Sequence, residues 1–139
     1  MPITSRSDGV DQRASLLPPE ILPLFDDAFV HSCDLFEEYV FRLALDVFRR
    51  LRLEEACAEP ASTDEVIARA GLDPRAARVP VDWMLRELVA HGTLEARDDE
   101  AGARYLLSGD LPELGADAVR AAVESFHRKR AVGAAIRGE

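Results

Sequence analysis

A mainly α-helical fold with one small β-hairpin is what the sequence predicts, on three observations. Apolar residues recur at steps of three and four over most of the chain, which is helical spacing. Two helix-start signals, Ser62 with Glu65 and Asp73 with Pro74, each open a segment that ends on a glycine, Gly71 and Gly92. Directly after Gly92, TLEA and RYLL flank the charged stretch RDDEAGA, which reads as two strands and a turn.

Residues 1–16 are polar and carry no periodic apolar positions, so they are expected to form a flexible arm. LLPPEILPLF follows, and its three prolines exclude a continuous helix before Pro23. From about Leu24, the series Phe25, Phe29, Cys33, Phe36, Val40, Ala44, Val47 and Leu51 marks one stripe of a long amphipathic helix. A second set, Val30, Phe41, Leu43 and Phe48, widens the apolar face beyond what one small core can cover. Part of it is therefore expected to meet another chain or domain, or else to centre the chain's own core.

The pair of short helices between Ser62 and Gly92 forms a helix-turn-helix, and the hairpin after it stands where a wing would. SGDLPELG then turns the chain, helical spacing resumes over 116–130, and AVGAAIRGE reads as a linker. The expected architecture is thus a winged helix-turn-helix with a long N-terminal helix, a two-stranded wing and a C-terminal helix. Its parts are an arm at 1–16, a winged-helix-like domain at 17–112, and a C-terminal helix and linker at 113–139.

Composition limits the function. The net charge of -9 disfavours a polyanionic partner. Two cysteines, Cys33 and Cys57, are too few for a disulfide framework and lack zinc-site spacing, so reduced thiols and a cytoplasmic location are expected. The N-terminus lacks the apolar core of a signal peptide, and no apolar run is long enough to span a membrane. His31, His91 and His127 fit no metal or triad spacing, paired carboxylates such as Glu37 with Glu38 face apart on a helix, and the glycines are scattered. No catalytic, cofactor-binding or metal-binding residue is assigned on these grounds.

Binding remains, and the second helix of the helix-turn-helix tests it. On a helical wheel Val81, Met84, Leu85, Leu88 and Val89 share the inner face, and Trp83 falls opposite. In a DNA reader that outer face carries polar and basic side chains; here it offers Trp83, Glu87 and Ala90. Trp83 either presents a surface to a protein or apolar ligand or packs on the long first helix. Pro80 is expected to break or kink this helix. A DNA-binding alternative would use Arg75, Arg78 and Arg86, with Arg97 or Arg104 from the wing on phosphate.

The run from Ala44 to Pro112 resembles the N-terminal winged-helix-like dimerisation domain of class I S-adenosylmethionine-dependent O-methyltransferases. The likeness lies in the helix ending around Leu45 to Leu53, the start at Pro60 and Ser62, GLDPRA, AHG, and the TLE and YLLS hairpin. It covers about half the chain, and bacterial winged-helix repressors share much of the pattern. The resemblance implies a non-catalytic scaffold that pairs two subunits and helps wall a substrate pocket. S-adenosylmethionine would then be bound by an adjoining Rossmann-like domain, with a small-molecule substrate and natural-product (polyketide) biosynthesis as the setting. The family's catalytic residues have no matching positions here, so the chain is expected to be an excised portion of a methyltransferase or megasynthase, or a free-standing relic. Phe29, Phe36, Phe41 and Trp83 are the candidates for the partner or substrate surface.

Overall fold

The computed structural model describes residues 18–137, with side-chain surroundings through Arg130. The arm expected at 1–16 lies outside the described residues. A short 3-10 turn, Leu22–Leu24, leads into α1, Asp27–Arg50, whose first amide groups are capped by the Asp26 carboxylate accepting from the Phe29 N–H at 2.8 Å. Then follow α2, Leu53–Ala56; α3, Thr63–Arg69; α4, Pro74–Ala90; β1, Leu94–Asp99; β2, Gly102–Leu107; and α5, Ala116–Arg137. The described chain is mainly helical with one two-stranded antiparallel sheet.

The local signals act as their chemistry requires. Ser62 and Glu65 close a reciprocal capping box at the start of α3, and the Asp73 side chain accepts from the Arg75 N–H beside Pro74. Both helices end in the same way: Leu72 N–H donates to the Ile67 carbonyl and Thr93 N–H to the Leu88 carbonyl. Each pairing needs a left-handed residue in between, which Gly71 (φ 67°) and Gly92 (φ 74°) supply. At the corner between α1 and α2, Arg52 holds the same conformation (φ 56°) without being glycine.

Pro80 neither breaks nor ends α4, which runs unbroken from Pro74 to Ala90. The hydrogen bond that proline cannot give would reach the Ala76 carbonyl, and both residues are exposed, so that oxygen is open to solvent. The hairpin is also longer than TLEA and RYLL alone: Leu94 pairs with Leu107 and Asp99 with Gly102, leaving a two-residue turn at Glu100 and Ala101. The other edge of β2 is tied down, since Tyr105 and Ala61 exchange backbone hydrogen bonds of 2.8 and 3.0 Å.

The core lies between the second half of α1, α2, α3, α4 and the hairpin, around the fully buried Leu45, Phe48, Leu53, Val66, Leu85 and Leu88. On α1 the buried residues are Phe41, Ala44, Leu45 and Phe48. The sequence reading of that helix is thereby turned round. Most of the expected main stripe faces outward, while Phe41 and Phe48 from the secondary set, joined by Leu45, face the core. Spacing alone identifies two stripes and cannot rank them, because the choice depends on where α3 and α4 pack.

α5 returns along α1 as an antiparallel neighbour. Arg42 donates to the Gly115 carbonyl at 3.1 Å, the His31 and Phe126 rings meet edge to face with centroids 5.2 Å apart, Ser32 Oγ lies 3.4 Å from His127 Nε2, and Arg130 reaches Asp26 at 3.8 Å. Ala116 and Val119 are buried and Val123 and Phe126 half-buried, the three- and four-residue steps of one face. The helix continues through Ala131–Arg137, past the point where a linker is expected from the sequence. Arg49 donates to the Pro112 carbonyl and straps the preceding connection to α1.

Two outcomes follow from this packing. Phe48→Ala is expected to cost about 3–5 kcal/mol in urea unfolding, as for a large aromatic removed from a closed core. Pro80→Ala is expected to raise stability by about 1–3 kcal/mol, since the freed N–H can complete the helix; a neutral or destabilised variant would contradict the solvent-facing gap.

Candidate functional site

Two surfaces collect the residues singled out from the sequence. The first is the outer face of α1. Phe29 and Phe36 are exposed there, Phe36 by 59%, and Leu43 and Val47 continue the face toward the C-terminal end. Cys33 is exposed between them and Val40 is half-buried. Phe25 extends the patch by stacking edge to face on Phe29, with centroids 4.9 Å apart. A contiguous apolar strip of this length is unusual on a monomer surface and marks a place of association.

Phe41 does not belong to that surface. It is buried, with its ring stacked on His91 at a centroid distance of 4.0 Å and an interplanar angle of 11°. The cause is its position: Phe41 leads the stripe that crosses α4 where that helix ends. His91 Nε2 also lies 3.2 Å from Glu87 Oε1, one turn back.

The second surface is an open cleft of about 610 Å3 between the start of α3, α4 and β2. Trp83 lines it and is half exposed, with Val79 beside it. On the wheel of α4, Val81, Met84, Leu85 and Leu88 are buried as expected, and Val89 is half-buried against the core. Around the tryptophan, the polar groups are engaged with one another. Thr63 Oγ1 donates to Asp82 at 2.9 Å, Arg86 pairs with the other oxygen of Asp82 at 3.0 Å, and Arg78 meets Asp64 at 3.4 Å. The Ser62 hydroxyl caps α3, and the third hydroxyl-bearing residue of the lining, Tyr105, is buried.

Electrostatics treat the hairpin in the same way. Arg104 lies 2.9 Å from Glu65 and 2.5 Å from Asp99, and Arg97 lies 3.3 Å from Glu95. Glu65 is held below the usual carboxylate range, first by the Ser62 backbone N–H and then by Arg104. Asp99 is lowered first by the Ala101 N–H and next by Arg104. Of the five arginines that a DNA reader would use, Arg78, Arg86, Arg97 and Arg104 each face a carboxylate, and only Arg75 has none among the described residues. The fifth alone makes no phosphate track.

Among the described residues no group of three or more histidine, cysteine or acidic side chains comes together to hold a metal ion. Cys57 is buried and its thiol is pushed up to about 11 by burial, with Arg69 opposing weakly. No described helix is long and apolar enough to cross a membrane. No protein-family model matches the chain, and no curated protein sequence matches it.

Sequence reasoning set Phe29, Phe36 and Val47 on one stripe of α1 but put Leu43 in a separate set and counted the buried Phe41 among the surface residues. The signal was the spacing: Phe29, Cys33, Phe36, Val40, Leu43 and Val47 alternate steps of four and three, which is a seam rather than a core face.

The site makes two predictions. Trp83→Ala is expected to change stability by no more than about 0.5 kcal/mol, and the fluorescence of this sole tryptophan should be readily quenched by acrylamide; a shielded indole would remove the cleft. Because Glu65 and Asp99 have depressed values when folded, they add stability above the ordinary carboxylate range and lose it as pH falls through their folded values. The urea midpoint should fall below about pH 4, and less steeply in Arg104→Ala.

Proposed function

We propose that the chain is a non-catalytic scaffold domain of winged helix-turn-helix type, the dimerisation and substrate-lid portion of a small-molecule S-adenosylmethionine-dependent methyltransferase of natural-product biosynthesis, working in the cytoplasm. The observation that carries this reading is the uncovered apolar face of α1, with Phe29, Phe36, Leu43 and Val47 exposed along one side of the helix. Burying such a face on a second subunit or an adjoining domain removes its apolar area from water at roughly 25 cal/mol per Å2.

The role is positional. The scaffold would hold a partner domain in place and keep water from a bound small molecule, while the partner supplies cofactor and base. The described residues form no glycine-rich cofactor cradle, so S-adenosylmethionine is assigned to the partner domain and no chemical step to this chain. Trp83 and Val79 supply an apolar patch rimmed by paired charges, which suits contact with a protein or small apolar molecule. The carboxylate partners of Arg78, Arg86, Arg97 and Arg104 weigh against the DNA-binding alternative.

A tagged chain recovered from its native cell should bring with it a protein that transfers a labelled methyl group from S-adenosylmethionine to a small molecule, whereas the purified chain alone should transfer none. A chain that captures no methyltransferase, and instead retards DNA in a salt-sensitive way, would replace this reading with the regulator.

A further inference from the structure

We propose that the Trp83 cleft takes an extended, uncharged peptide segment, which adds one short antiparallel strand to the free edge of β2 at Ala103 and seats an apolar side chain against Val79 and Trp83. This deepens the reading of those two residues as a contact patch and rests on it; it does not depend on the methyltransferase assignment.

Along a strand of an antiparallel pair, the N–H and C=O of successive residues point to alternate edges. Tyr105 directs both groups away from β1, where they exchange hydrogen bonds with Ala61. On the same edge the Leu107 N–H donates to the Cys57 carbonyl at 2.9 Å. Ala103 stands two residues before Tyr105, so its N–H and C=O leave the hairpin on that edge as well. Neither has a backbone partner there among the described residues, and Ala103 is exposed.

The cause is local. An antiparallel neighbour continued past Ala61 would bring Thr63 opposite Ala103, but Ser62 caps α3 and Thr63 is already its first helical residue. The ladder therefore ends one rung short of Ala103. That rung opens into the cleft, whose lining includes Ser62, Thr63, Ala103 and Tyr105.

Two residues opposite each other on a ladder send their side chains to the same face of the sheet. A peptide residue paired with Ala103 projects on the face that Ala103 and Tyr105 present to the cleft. Across it stand Val79 and Trp83, one helical turn apart on α4, 79% and 50% exposed. Backbone hydrogen bonds then give affinity and one apolar anchor gives selectivity, as in strand addition generally.

The rim sets the charge of the partner. Arg78 pairs with Asp64, and Arg86 and Thr63 share Asp82, so the two cations and two anions of the lining cancel. A charged side chain would have to break one of these pairings to enter, whereas an uncharged one leaves them in place.

Trp83 is the sole tryptophan and reports the occupant directly. Capped pentapeptides TVXVT, with leucine, isoleucine, phenylalanine or tyrosine at X, are titrated into the full chain. At least one is expected to give a saturable blue shift of the emission and to protect the Ala103 amide from hydrogen exchange. Methylating the amide nitrogen of X removes the donor for the Ala103 carbonyl and should weaken binding roughly tenfold or more. Glutamate or lysine at X, or Val79→Glu in the chain, should weaken it as much, the latter with unchanged circular dichroism. Ala103→Pro removes the outward N–H without touching a bond to β1 and should abolish the shift. Phe36→Ala, on the other apolar surface, should leave binding unaltered. A shift that survives N-methylation, or that N-acetylphenylalaninamide gives as strongly as the peptides, would overturn the strand and keep the patch as the seat of a small apolar molecule. No shift with any peptide overturns the proposal, and none with N-acetylphenylalaninamide either removes the contact patch with it.

Discussion

The fold depends on a mismatch between the length of α1 and the size of the core it serves. Its 24 residues extend roughly 36 Å, yet the buried positions begin only at Phe41. The second half is fixed by Leu45 and Phe48 against α3 and α4, a dense apolar contact that sets the direction of the whole rod. The first half must find support elsewhere. It finds part of it in α5, through a thin line of polar and aromatic contacts, and has a complete apolar side remaining.

That division explains why the two candidate surfaces differ in character. The Trp83 cleft belongs to the rigid body, where short helices are pinned by caps and by the Ala61–Tyr105 backbone pair, and its charged rim is internally balanced. The α1 face belongs to the projecting part, where apolar side chains have no such counterpart.

Much of this was legible in the sequence wherever a local rule decides the outcome. Ser62, Asp73, Gly71 and Gly92 fixed the ends of α3 and α4 because caps and left-handed stops act within a few residues. The wheel of α4 placed Trp83 outward for the same reason. Tertiary choices were less legible. Two stripes on α1 compete for the core, and only the position of α4 decides that Phe41 goes in and Phe36 stays out. Pro80 does not break the helix, and the carbonyl it leaves unbonded lies in an exposed stretch open to solvent. The tail beyond Arg130 lacks a strong apolar face, but its alanine content permits α5 to continue.

The tie between Ala61 and Tyr105 has one more consequence. With β2 paired to β1 on one side and tied to Ala61 on the other, the longest open edge of the little sheet among the described residues is that of β1, and it carries Glu95, Arg97, Asp98 and Asp99. A foreign strand approaching it would have to strip water from four ionised groups before gaining its first hydrogen bond. The molecule thus leaves an apolar face open along a helix and guards the edge of a strand with charge.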